Sequence, residues 1–142
     1  MRRISNSVEE TIRIGVEVAK KLKKGDVVAL VGNLGAGKTV FTKGIAKGLG
    51  VKDACYVNSP TFVIIKEYKG RLPLYHFDIY RLLKSSSIDI ETYEEYFYGD
   101  GVTVVEWADK IKDLLPPGHI LVNIRSSGES TREIAISRSV AG

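Results

Sequence analysis

Gly32, Gly37, Lys38 and Thr39 satisfy the spacing G-x-x-x-x-G-K-[ST] inside the stretch "VGNLGAGKTVF". That spacing suits one kind of chemistry. Glycines let a backbone curl until its N–H groups converge, and the N-terminus of the following helix adds its positive dipole end, so together they hold a polyphosphate. In this pattern the lysine, here Lys38, reaches the β- and γ-phosphates, and the hydroxyl, here Thr39, ligates Mg²⁺. Residue frequencies give roughly a one or two per cent chance of an accidental match in a chain of this length. Requiring a buried strand before the loop and an amphipathic helix after it lowers that further. Asn33, Leu34, Gly35, Ala36 and Gly37, with Lys38, Thr39 and Val40, are therefore expected to bind a nucleotide.

A metal site beside such a loop needs a carboxylate at the end of a neighbouring buried strand, and two strands offer one. On "LYHFDIY" the alternation of a strand puts Leu74, His76, Asp78 and Tyr80 on one face, and Tyr75, Phe77 and Ile79 on the other. Polar groups on a face that would otherwise be apolar form either a site or an internal hydrogen-bond network. On "VTVVEW" four residues compatible with burial precede Glu106, which then emerges at the C-terminal edge of the strand, where open α/β sheets bind ligands. A plain solvent-facing strand end is the alternative. In "NSPTF" the hydroxyls of Ser59 or Thr61 could sense a γ-phosphate or Mg²⁺ as a switch, although Pro60 also makes the segment an ordinary turn. Arg81 and Arg132 could each reach a phosphate or cover surface, and Trp107 is core or a rim anchor. His119, opening a strand after a proline turn, needs no function.

These residues require a scaffold, and the pattern supplies one. From Ser7 to Lys23 the residues Val8, Ile12, Val16 and Ala19 recur at helical spacing, and Ser7 with Glu10 resembles a capping box. "DVVALVG" reads as a strand buried on both faces. Phe41, Ile45 and Leu49 give a second helix ending near Gly50. "TFVIIKEY" and "LPLYHFDIY" are strands joined as a hairpin by "KGRLP", and a short helix is expected around Tyr93 to Phe97. "VTVVEW" is another buried strand, and "ADKIKDLLPPG" a helix stopped by Pro116 and Pro117. "HILVNIR" and "REIAISR" close the chain as an antiparallel pair around "SSGEST". The expectation is a three-layer α/β domain of P-loop NTPase type, its sheet mixed, parallel in the centre with antiparallel edge strands.

Composition sets the limits. With 142 residues, 44% hydrophobic and 27% charged, the chain reads as one globular domain over residues 1–142, not as a disordered segment. No apolar stretch approaches bilayer length and no export signal follows Arg2 and Arg3, so a cytoplasmic protein with no membrane partner is expected. A lone cysteine, Cys55, forms no intramolecular disulfide and suits a reducing compartment. Lys20, Lys21, Lys23 and Lys24 sit where the first helix ends, where cations are favourable without any partner.

The blocks "GNLGAGKT" (Gly32 to Thr39), "SPTF" (Ser59 to Phe62), "HFDIYR" (His76 to Arg81) and "EW" (Glu106 and Trp107) occur in the order of the TsaE (YjeE) family, which the chain resembles over almost its whole length. These are small bacterial P-loop ATPases required for threonylcarbamoyladenosine formation in tRNA. The resemblance implies an Mg²⁺-dependent ATPase that binds ATP and works with the proteins TsaD and TsaB on tRNA, TsaD carrying the transfer chemistry. It gives Lys38 and Thr39 the phosphate and Mg²⁺ roles and favours Glu106 as the metal-associated carboxylate, with Asp78 supporting the metal shell or the attacking water. It makes Ser59 and Thr61 switch-like, sets Thr11 near the nucleotide base, and brings Arg132 toward the site. The wording departs from the family after Trp107, where "ADK" replaces something closer to Pro-Glu-Arg, and at Val40, where a second threonine is common. A small-molecule kinase is the main rival, because the same loop serves transfer to an acceptor. A non-hydrolysing nucleotide sensor is another. A signalling GTPase would need an Asn-Lys-x-Asp segment, and none of the four asparagines begins one.

Overall fold

The computed structural model describes residues 1–33, 36–52, 65–78, 97, 99–106, 108 and 115–139, with the backbone alone at residue 78. In chain order it contains β1 (Arg2–Ser5), α1 (Val8–Ala19), β2 (Val27–Val31), α2 (Lys38–Gly48), β3 (Ile65–Tyr68), β4 (Leu74–Asp78), β5 (Val102–Glu106), β6 (Ile120–Ser126) and β7 (Arg132–Arg138). The strands form a seven-stranded sheet in the order β1-β7-β6-β2-β5-β4-β3. Its four central strands, β6, β2, β5 and β4, run parallel, and antiparallel pairings of β7 on β6, β1 on β7 and β3 on β4 close both sides. This is the mixed sheet expected from the sequence, including the hairpin around "KGRLP" and the closing pair. Strand β1 is an addition to that expectation.

Burial explains why the central strands read as continuous apolar runs. Val28 and Leu30 of β2, with Val102 and Val104 of β5, pack toward Ile14, Val18, Phe41 and Ile45 of the two helices. Val27, Ala29, Phe77 and Val105 face the other side, where Phe97 and Ala108 are buried and Leu115 packs partly. A strand between two such layers needs no polar alternation. The expected strand residues Thr61 to Ile64, most of the helix between Trp107 and Pro116, and the helix around Tyr93 except Phe97 fall outside the described residues. Among the described residues no helix is long and apolar enough to cross a membrane.

Helix α1 begins as its sequence predicts. The Ser7 hydroxyl accepts from the Glu10 amide at 3.1 Å, and the Glu10 carboxylate accepts from the Asn6 amide at 2.7 Å, one residue before the cap. It ends earlier than the expected Lys23, at Ala19 with Lys20 as C-cap, so the four lysines lie past the helix on an exposed turn. The physical reason is a different set of partners for its last carbonyls. Lys21 and Leu22 amides turn back to Val18 and Ala19 in tight three-residue bonds, and the Arg71 guanidinium donates to the Ala19 carbonyl at 2.8 Å. Leu22 is buried and so prolongs the apolar period beyond the helix.

The face that α1 buries comprises Thr11, Ile14, Gly15, Val18 and Ala19, and Val8 is 56% exposed. Two glycines set this rotation. A Cβ built on Gly15 would stand 2.6 Å from the Phe41 carbonyl oxygen, and one on Gly44 would stand 2.3 Å from that of Ile12. The backbones of α1 and α2 therefore touch where they cross, and any side chain at Gly44 must push them apart. Gly44→Ala gains about 1 kcal/mol of helix propensity but overpacks against backbone, so a net loss of about 2 kcal/mol is expected. Urea unfolding checks it; an unchanged midpoint would mean that the crossing has slack.

Candidate functional site

The site forms where β2 runs out. After Val31 the chain turns through the glycine loop and enters α2 at Lys38, with Gly37 at φ 106° and ψ 18°, a left-handed conformation that a residue with a Cβ enters only under strain. Helix α2 has no side-chain cap and no acidic residue in its first turn, so no residue of its own offsets the positive end of its dipole. The Lys38 side chain is buried and folds back over the loop, its ammonium donating to the carbonyls of Gly32 at 2.6 Å and Asn33 at 2.9 Å. Thr42 locks the first turn by donating its hydroxyl to the Lys38 carbonyl at 2.9 Å. Ala36 is buried, and its amide bonds the Asn33 carbonyl at 3.0 Å.

The carboxylate arrives from the next parallel strand. Glu106 is the last residue of β5, in register with Leu30 of β2 on one side and Asp78 of β4 on the other. It is 3% exposed, which excludes the solvent-facing strand end. The Thr39 hydroxyl lies 3.3 Å from its Oε1 and 3.4 Å from its Oε2, and the His76 Nε2 contacts its Oε2. His76 is itself fully buried. Threonine and glutamate thus meet at the C-terminal ends of the parallel strands, at the start of the helix that Lys38 opens.

Beside this cluster lies a pocket of about 330 Å³, lined among others by Thr11, Gly37, Val40, Ser130 and Arg132. Thr11 is fixed there by a 2.7 Å hydrogen bond between its hydroxyl and that of Ser5. The Arg132 guanidinium donates to the Thr131 carbonyl at 3.0 Å and to the Gly128 carbonyl and Ser126 hydroxyl at 3.3 Å each. Its Nε stands 3.9 Å from where a Gly37 Cβ would be, so this arginine lies beside the end of the loop. Thr11 from α1, Val40 from α2 and Arg132 from β7 come together although they are remote in sequence. A second cavity of about 240 Å³, between α1 and β7, contains none of the loop residues.

Among the described residues no group of three or more His, Cys, Asp or Glu side chains could cage a metal ion. Among the described residues, the Thr39 hydroxyl and the Glu106 carboxylate stand beside the loop, hard oxygens of the kind that Mg²⁺ uses when substrate phosphates and water complete its octahedron. The donor set therefore fits Mg²⁺. Leu34, Gly35, Ser59, Thr61, Arg81 and Trp107 lie outside the described residues, and Asp78 is placed by its backbone only. Strand alternation places His76 on the same face as Leu74 and Asp78 without indicating its partner, and no local motif marks Ser5 or Thr42.

A buried parallel strand that feeds a glycine loop into a helix, with a carboxylate on the adjacent parallel strand, is the P-loop NTPase-like fold. Residues 5–134 match the family described as Threonylcarbamoyl adenosine biosynthesis protein TsaE, and the chain belongs to that family. The tRNA threonylcarbamoyladenosine biosynthesis protein TsaE of Bacillus subtilis is 50% identical over 130 residues, which cover 91% of this chain and 80% of that protein. The protein of the same name from Treponema pallidum is 40% identical over 137 residues, covering 96% of this chain and all of the relative (100%). The crystal structure of Bacillus subtilis YdiB superposes with a TM-score of 0.76 at 40% identity, over 100% of this chain and 86% of that one.

Proposed function

We propose that this chain is a cytoplasmic, Mg²⁺-dependent ATPase, a single domain over residues 1–142, whose ATP cycle drives or resets a TsaD–TsaB assembly that forms threonylcarbamoyladenosine in tRNA. The observation that carries the ATPase reading is the Thr39 hydroxyl set against the buried Glu106 carboxylate at the start of α2, directly after a lysine whose ammonium folds back onto the glycine loop. Family membership carries the pathway.

ATP is the substrate. The loop amides from Asn33 through Gly37, with those of Lys38, Thr39 and Val40 at the start of α2, take the phosphate oxygens, and Lys38 exchanges its loop carbonyls for the β- and γ-phosphates. Thr39 and Glu106 would hold Mg²⁺, which neutralises charge on the transferring phosphoryl group. Asp78 supports that shell or orients the attacking water, and the Ser59 and Thr61 hydroxyls respond to the γ-phosphate. Thr11, Val40 and Arg132 form the pocket that receives the nucleoside, with Arg132 near enough to the loop to add positive charge. Water attacks the γ-phosphorus, the bond to the bridging oxygen breaks toward ADP, and phosphate leaves with the proton.

Reconstitution with TsaD, TsaB, tRNA and a threonylcarbamoyl donor tests this. Modified tRNA should accumulate only when this chain and hydrolysable ATP are both present, and phosphate release should rise by about tenfold or more with the partners, since a partner often completes charge stabilisation. Equal yield without the chain, or with a non-hydrolysable ATP analogue, would overturn the function. Phosphate transfer to a small acceptor would assign a kinase instead.

A further inference from the structure

His76 has no packing reason to be a histidine. It stands on β4 in register with Val104, on the face shared with Leu74, fully buried among apolar residues. One ring nitrogen contacts the Glu106 Oε2, and the other, Nδ1, is buried with no hydrogen-bond partner among the described residues. An apolar residue would avoid that cost, and buried polar atoms are seldom left unpaired without cause.

The unpaired nitrogen also defines the proton's place. A hydrogen on Nδ1 alone would bury an unsatisfied donor and turn the Nε2 lone pair toward a carboxylate oxygen. With the hydrogen on Nε2, the ring donates to Oε2 and leaves only an acceptor unpaired. The terminal torsion of a glutamate is otherwise broad. Pinned at Oε2, the Glu106 carboxylate faces the Thr39 hydroxyl with both oxygens at nearly equal distance, 3.3 and 3.4 Å.

We propose that His76 is a positioning residue, whose Nε2–H fixes the Glu106 carboxylate against Thr39 and thereby sets the Mg²⁺ affinity of the nucleotide site. This rests on the reading of Thr39 and Glu106 as the Mg²⁺-side groups. Partners that orient metal-ligating carboxylates are worth about tenfold to a hundredfold in metal affinity.

Three substitutions separate the hydrogen bond from mere filling. His76→Gln keeps an N–H near the position of Nε2, His76→Asn is too short to reach Glu106, and His76→Leu fills the space without a donor. Binding of a fluorescent ATP analogue, with and without Mg²⁺, and turnover against Mg²⁺ concentration are the readouts. The Asn and Leu variants should need about ten to a hundred times more Mg²⁺ for half-maximal turnover, keep metal-free nucleotide affinity within about twofold, and be largely rescued by Gln. Nitrogen NMR of the unmodified protein should show Nε2 protonated, a readout that survives should a variant fail to fold. An unprotonated Nε2, a Gln variant as impaired as Leu, or an unaltered Mg²⁺ requirement in all three would overturn the inference alone. No Mg²⁺ effect on nucleotide binding in the unmodified protein would overturn the reading of the site, and the inference with it.

Discussion

Lys38→Ala lowers ATP turnover by about a hundredfold to a thousandfold while the melting temperature stays near that of the unmodified protein. The first half follows from what a phosphoryl transfer asks of a protein: little covalent chemistry, and donors already aimed at oxygens where charge develops. Removing one such preorganised donor costs about 3–4 kcal/mol of transition-state stabilisation. The second half follows from what Lys38 does for the fold. Its ammonium donates to two carbonyls of its own loop, and one of these belongs to Asn33, an exposed residue to which water has access. Truncation gives up these charge-assisted bonds but also removes a buried charge, so the opposing contributions leave a change of about 1 kcal/mol. Phosphate release and calorimetry on the same preparation separate the two effects. Undiminished turnover would refute the loop assignment, and a collapsed melting temperature would show that the lysine is structural.

The strand, glycine loop and start of α2 were legible because everything they need is local: a β-branched run, glycines, a lysine and an apolar period. The parallel centre and antiparallel edges were legible because buried strands read differently from a hairpin pair. Strand β1 was not. "RRIS" carries no alternation that marks a strand, and it is extended because β7 offers it an edge. The end of α1 was hidden because buried Leu22 continues the apolar period while Arg71, remote in sequence, takes over the final carbonyl. The link between His76 and Glu106 belongs to neither strand by itself; it exists only once β4 and β5 pair in their parallel register. Thr11 was a candidate by family resemblance alone and Arg132 also as a cation that could reach a phosphate, and nothing in their local sequence foretold a shared pocket.

Glu106→Gln separates stability from chemistry in the opposite way to an ordinary core substitution. The carboxylate is 3% exposed, and taking an ionised group that far from water is a cost to the fold, against which its bonds to His76 and Thr39 are set. A glutamine of the same shape carries no net charge. Its amide oxygen can still accept from His76 or from Thr39, although its NH₂ must then face the other of that pair. The melting temperature of the variant is therefore expected to equal or exceed that of the unmodified protein, as happens where a site is held at the expense of stability. Turnover should fall by about a hundredfold or more, because the anionic oxygen that would hold Mg²⁺ is gone. Nucleotide binding without Mg²⁺ should persist, since the loop amides and Lys38 are untouched. That last measurement distinguishes this variant from Lys38→Ala, in which binding itself weakens. A glutamine variant with turnover within about twofold of the unmodified protein would remove Glu106 from the metal site and leave Asp78, its register partner on β4, as the carboxylate to test.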